Sequence, residues 1–260
     1  MKIVFSAVFG LAILPPRPGA DIKDALAPTG TMRATFLEGN PVQGRLDKAS
    51  GVISGPVADL VSDLARRLGV GFRITPSADA RAIMDRIKAH TADIAFLAFD
   101  PSRAKEVDFS QPYSLAYNSY IVLAGSNIQN AQDVDRPGMR IAAVRGDSGE
   151  LYLGRTLRQA QLRSITGLNP ETAQKMLAAG EIDAYATNRQ RLTEMAEHFP
   201  GLRVLPDNFY AVEQAIVVAK GNLAGLAVVN RFIDEARKSG LLKSTLERAK
   251  LSGVEVAPAR

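Results

Sequence analysis

The sequence predicts an α/β protein built as two similar lobes, and three observations carry that prediction. From Thr31 onward, short apolar strands alternate with amphipathic helices, the pattern of helices layered on mostly parallel sheets. Two segments echo each other, Ile87-Lys88-Ala89-His90-Thr91-Ala92-Asp93-Ile94-Ala95 and Leu177-Ala178-Ala179-Gly180-Glu181-Ile182-Asp183-Ala184-Tyr185. Each runs helix end, turn, Asp, buried strand. The length of 260 residues suits one large domain or two ordinary ones, and 46% hydrophobic against 23% charged residues is a globular mix.

The chain opens with Met1-Lys2, then the apolar or small residues 3–14, then Pro15-Pro16-Arg17-Pro18 and Gly19-Ala20-Asp21. This reads as a secretory signal peptide over residues 1–20, with the cut between 19 and 27. The apolar run is too short to cross a bilayer core of ~30 Å as a helix. A periplasmic location is expected, and with no Cys the protein is not expected to be a lipoprotein.

Residues 32–37 read as a strand. Ser54 is the expected N-cap of a helix with Pro56 in its first turn. In that helix Val57, Leu60, Val61, Leu64 and Leu68 form one apolar stripe, which Gly69 ends. A short strand at 72–75 follows, then a helix capped by Asp79 with Ile83, Met84 and Ile87 on one face. Residues 93–99 form a continuous apolar strand, as in a sheet buried on both faces. The second half has strands at 140–144, 182–187, 204–205 and 213–219. Its helices open at Ser148 and cover 171–179, 188–199, 223–238 and 241–250. Two such lobes leave a cleft to which strand ends deliver loops and helix starts, a natural small-molecule site.

Composition narrows the function. Without Cys and with only His90 and His198, thiolate chemistry and a His-rich metal site are not expected, and no cofactor motif is present. The net charge of +5 is spread along helices rather than gathered in a basic block, so no nucleic-acid partner is expected. Gly146-Asp147-Ser148-Gly149 looks like a serine-protease segment, with His90 and Asp108 upstream, but its strand-then-helix flanks do not suit that all-β fold. It reads instead as a Gly turn into a helix, and two roles for Ser148 stay open: N-cap, or donor to an anion at the helix start. Arg103, near the start of a turn begun by Pro101, either pairs with Glu106 or Asp108 or holds an anion. Arg81, in the first turn of its helix, repeats the pattern.

Taken in order, these segments resemble the extracellular solute-binding proteins of family 3, receptors of polar amino-acid ABC importers. Gly51-Val52-Ile53-Ser54-Gly55-Pro56-Val57-Ala58-Asp59-Leu60 is similar to the family's Gly-x-x-x-Gly-Phe-x-x-Asp-Leu, with Pro56 for Phe. Pro101 to Ser110 resembles Pro-Glu-Arg-Ala-x-x-Val-Asp-Phe-Ser, continued by Gln111-Pro112-Tyr113. Gly180-Glu181-Ile182-Asp183-Ala184 and Ser239-Gly240-Leu241-Leu242 also match, and the likeness covers about residues 30 to 250. The resemblance implies two Rossmann-like α/β lobes joined by two hinge strands, the type II periplasmic binding protein fold. Lobe 1 would be 30–119 plus 214–260 and lobe 2 120–213, with crossings near 118–121 and 212–214.

The resemblance further implies a monomeric, non-enzymatic periplasmic receptor. It would bind a small carboxylate-bearing solute between the lobes and pass it to an inner-membrane ABC permease. Arg103 would hold the carboxylate, assisted by Ser148. Further candidates are Asn188, Arg81, Asn40, Phe99, Ala98, Asp147 and Asp100. Three departures stand out. Asn188 replaces the Asp that usually meets an amine. Leu97-Ala98-Phe99-Asp100 shortens a Ser/Thr-rich stretch. Glu38-Gly39-Asn40-Pro41-Val42 lacks the usual aromatic. The expected ligand has a carboxylate but a weaker need for a cationic amine; alternatively Asp100 or Glu38 supplies the missing charge. Two alternatives are an enzyme similar to cyclohexadienyl dehydratase, with Glu150, Asp147 or Glu38 as its acid, and an orphan sensor binding protein.

Overall fold

The structure is a computed structural model that describes residues 20–259. The expected signal peptide, but for Ala20, lies outside the described residues. The first lobe begins with α1 (Ala20–Leu26), β1 (Thr31–Leu37) and a ribbon of β2 (Arg45–Leu46) and β3 (Ile53–Ser54). It continues through α2 (Pro56–Leu68), β4 (Gly71–Ser77), α3 (Ala80–Lys88) and β5 (Ile94–Ala98). β6 (Val107–Leu123), 17 residues long, then leads into the second lobe. That lobe holds β7 (Arg140–Val144), α4 (Ser148–Thr156), β8 (Gln161–Ile165), α5 (Pro170–Ala178), β9 (Ala184–Asn188), α6 (Arg189–His198) and β10 (Leu202–Val204). β11 (Tyr210–Ala219) returns to the first lobe, which α7 (Leu223–Lys238), α8 (Leu241–Ala249) and β12 (Val254–Val256) complete.

One sheet runs β4-β1-β5-β11-β6-β9-β7-β8, with β10 and β12 also paired to β6. β1 lies parallel to β4 and β5, and β7 parallel to β8 and β9. Between these parallel sets runs the antiparallel pair β6–β11, from Tyr210–Asn118 to Ala219–Val107, with register shifts on either side of Ala215. Beyond it, Asn118 to Ile121 of β6 pair with β9. The cores follow the same division. Two clusters, around Phe36, Leu60 and Phe96 and around Ile83 and Leu97, draw only on the first lobe and β6–β11. Two others, around Tyr120 and Ile141 and around Tyr185 and Leu192, draw on β6 to β10.

Local sequence explains much of this. The stripe of α2 is buried along its length, and Gly69 ends the helix in the left-handed region at φ 64°. Its N-cap, however, is Gly55 at φ 95°, not Ser54. The ribbon takes Ser54, and a Cβ at Gly55 would stand 3.2 Å from the Cα of Gly44. Asp79 caps α3 by accepting from the Ala82 amide at 2.8 Å. The sequence echo becomes a repeated clamp. Asp93 accepts the Arg33 amide at 2.8 Å and its guanidinium at 2.9 and 2.6 Å. Asp183 holds Arg140 the same way, at 2.8, 3.0 and 2.9 Å. Each clamp ties the turn before one buried strand to the first residues of its parallel neighbour.

At the N-terminus, Leu26 and Ala27 are buried. A cut at the late end of the 19–27 window would therefore remove packed structure. No described helix is long and apolar enough to cross a membrane.

Candidate functional site

The loop after β1, the end of β5, the two hinge strands, the start of α4 and the end of β9 converge between the lobes. They enclose a cavity of about 30 Å³, room for a couple of waters. Arg103 reaches it from a short 3-10 turn, Arg103–Lys105. Its side chain is buried; Nη1 donates to the Ala98 carbonyl at 2.7 Å and Nη2 to the Gly146 carbonyl, in the other lobe, at 2.6 Å. Burial pushes its pKa down, and the charges of Asp147 and Asp100 oppose that shift. Among the described residues no carboxylate is hydrogen-bonded to it, and a buried cation held by carbonyls favours an anionic partner.

Opposite stands the first turn of α4. Gly146, at φ 80°, makes the turn from β7. Asp147 occupies the N-cap position without a side-chain cap, so Ser148 is the first helical residue and not the cap. Ser148 lines the cavity, and the amides of the first turn lie at the positive end of the helix. Gly149 is needed for close approach, because a Cβ there would stand 2.8 Å from the Asn118 amide nitrogen.

Asn188 caps α6: its Oδ1 accepts from the Arg191 amide at 3.0 Å, and its Nδ2 donates to Asn40 Oδ1 across the cleft at 3.4 Å. Arg191 pairs with Asp147 at 3.2 Å and donates to the Gly39 carbonyl at 2.9 Å. Beneath them, Gln43 accepts the Leu37 amide at 2.9 Å and donates to Gln214 at 3.2 Å.

Of the residues singled out from sequence, Arg103, Ser148, Asn188, Asn40, Ala98 and Asp147 line this cavity. Three do not. Phe99 follows Ala98 at the end of β5 and packs edge-on against Phe109, ring centroids 5.3 Å apart. Asp100 is buried but occupied: it accepts the Ser102 amide at 2.9 Å and hydroxyl at 2.6 Å, and pairs with Arg155 of α4 at 2.9 Å. Arg81 is exposed beside Asp85 at 3.2 Å, on the wall of a larger groove of about 950 Å³ that adjoins the cavity and shares Leu37, Ala80, Arg103, Asp147 and Arg191 with it. Glu38 lies on the same wall, 3.8 Å from Lys48. Glu150 is tied to the Gly146 amide at 3.1 Å and to the Ser164 hydroxyl.

Sequence reasoning missed Asn118, Gln214, Gln43, Thr187 and Arg191, which also line the cavity. The available signal was a polar side chain inside a buried strand: Asn118, Thr187 and Gln214 are each at most 4% exposed. Among the described residues no group of three or more His, Cys, Asp or Glu is placed to hold a metal ion.

The family model for bacterial extracellular solute-binding proteins, family 3, matches residues 38–249. The L-cystine-binding protein TcyJ of Escherichia coli strain K12 is 24% identical over 217 residues, 82% of this chain and 80% of its own. Among solved structures, the ancestral amino acid-binding protein AncCDT-1, a precursor of cyclohexadienyl dehydratase, superposes with a TM-score of 0.72 at 24% identity. The match covers 86% of this chain and 97% of that one. The substrate-binding protein AbpA of Streptococcus pneumoniae, bound to L-arginine, gives 0.72 at 22% identity, over 87% of this chain and 97% of its own.

Proposed function

We propose, since the chain belongs to the bacterial extracellular solute-binding proteins of family 3, that it is a periplasmic receptor of an ABC importer that closes on a small carboxylate-bearing solute. The observation that carries this is Arg103: a buried guanidinium, hydrogen-bonded to two carbonyls, that shares its cavity with Ser148 and the start of α4. A carboxylate there takes the remaining guanidinium N–H groups, the Ser148 hydroxyl and first-turn amides, all charge-assisted. Residues 30–119 with 214–260 then move as one lobe against 120–213, hinged at the β6–β11 seam. The protein acts as a monomer and hands the solute to a permease of the inner membrane.

The chemistry around Arg103 also bears on the rest of the solute. Relatives are described as binding L-cystine and L-arginine, which supports an amino acid or amino-acid derivative; small organic acids share the carboxylate. The acid at this cavity, Asp147, is paired with Arg191, and Asn188 is neutral. An ammonium group therefore finds no free carboxylate, and solutes without a cationic amine are favoured. The acids considered for a dehydratase are engaged by Gly146 and Ser164, by Arg191 or by Lys48, which favours binding over acid catalysis.

A thermal-shift screen against amino acids, N-acetylated amino acids and small organic acids tests the proposal. A carboxylate that saturates and raises the melting temperature is expected. Tight binding of free amino acids with no response to amine-free acids counts against the amine argument, and no carboxylate response counts against the whole proposal.

A further inference from the structure

The cavity at Arg103 has room for little more than a carboxylate, but the groove beside it is of the size that buries most of a drug-sized molecule. Its walls come from both lobes and are largely apolar: Met84 of α3, Leu151 of α4, Leu168, and Met195 and Phe199 at the end of α6. Methionines are adaptable packing partners for a flexible chain. Several charged groups on these walls are engaged. Arg81 is held by Asp85, Glu194 by Arg45, Arg145 by the Ser164 carbonyl and Asp79 by the Ala82 amide. The groove meets the cavity at Arg103, Asp147 and Arg191.

We infer that the solute is an amine-free carboxylate with an uncharged apolar body, such as an N-acyl amino acid, whose head sits at Arg103 and whose body fills this groove. The inference rests on the carboxylate reading of Arg103. It adds that affinity grows with apolar length, because each methylene entering the groove leaves water.

Isothermal titration of the purified protein with glycine, N-acetylglycine and N-octanoylglycine tests it. N-octanoylglycine should bind at least ~tenfold tighter than N-acetylglycine, and N-acetylglycine tighter than glycine. Leu151→Asp, which places a charge on the groove wall, should bring the octanoyl-to-acetyl ratio toward one; the wild-type ratio stands as a test even if that variant fails to fold. If N-acetylglycine binds in an Arg103-dependent way and N-octanoylglycine binds no tighter, the groove inference is overturned and the carboxylate proposal stands. If none of the three binds, both fall.

Discussion

Arg103 bridges the interlobe cleft: from the first lobe its Nη2 donates to the carbonyl of Gly146 in the second at 2.6 Å. That carbonyl belongs to the turn that presents Ser148 and the start of α4. If the proposed carboxylate binds at Arg103, one guanidinium contacts both the solute and the opposite lobe, which would couple binding to closure. Arg191, donating to Gly39, and Asn188, donating to Asn40, cross the cleft in the other direction.

Asp100 and Arg155 form a further cross-cleft tie, an ion pair at 2.9 Å. Asp100→Asn keeps an acceptor for the Ser102 amide but loses the ion pair. With Arg155 half exposed, about 1 kcal/mol is expected, a roughly fivefold weaker solute affinity. Titration calorimetry of the variant checks this, and an unchanged Kd would show that the tie does not contribute to closure.

The same carboxylate sets a pH dependence. Burial works to raise the Asp100 pKa, but the Ser102 hydroxyl and amide and then Arg155 hold it below its ordinary value of 3.8. A depressed folded pKa means stability that is present above the ordinary value and lost as pH falls through the folded one. The melting difference between wild type and Asp100→Asn should stay constant from neutral pH to about 5 and close only below ~4. A difference that disappears by pH 6 would contradict this assignment.

Asn188→Asp restores the acid that the family resemblance implies at this position. Asp is as good an N-cap as Asn, so α6 should be retained and the melting temperature little changed. Affinity for free amino acids should rise about tenfold relative to their N-acetylated forms, the size of one charge-assisted contact. Equal changes for both ligand types would remove Asn188 from amine discrimination.

How far the sequence foresaw this architecture depends on how local the determinants are. The α2 stripe, the Gly69 stop and the Asp79 cap are short-range patterns, and all are as expected. The echo around Asp93 and Asp183 was visible, but not its cause, because Arg33 and Arg140 lie far from those residues in sequence. Of β6 only the crossing near 118–121 was expected, from the resemblance, because Ser110, Pro112, Ser114 and Asn118 break its apolar run. Pro112 is tolerated because it sits opposite Ala215, where the β6–β11 register shifts. Asn118 and Gln214 become cavity residues only through that long-range pairing. Which of Ala98 and Phe99 meets the cavity is settled by where β5 ends. Ser54 lost the cap because the ribbon claimed it.

Gly149→Ala probes the closest approach of α4 to the hinge. The added methyl must displace the Asn118 amide, 2.8 Å away, while alanine gains up to ~1 kcal/mol of helix propensity. Stability should change by less than ~1 kcal/mol, but solute affinity should drop at least ~threefold because Asn118 lines the cavity. Unchanged affinity would place Asn118 outside the binding contacts.

At the N-terminus, Leu26 is fully buried in the first-lobe core beside Val229 and Phe232. Leu26→Ala should cost about 2–5 kcal/mol. A chain starting at residue 28 should melt several degrees below one starting at residue 20. Equal melting temperatures would mean that α1 is dispensable.

The most direct test of the central claim is titration calorimetry of one amine-free carboxylate, N-acetylglycine, against the wild type and Arg103→Ala. Saturable binding to the wild type is expected, weakened at least ~tenfold in the variant, whose far-UV circular dichroism should stay unchanged. Equal binding to both proteins, or none to the wild type, would contradict a carboxylate site at Arg103.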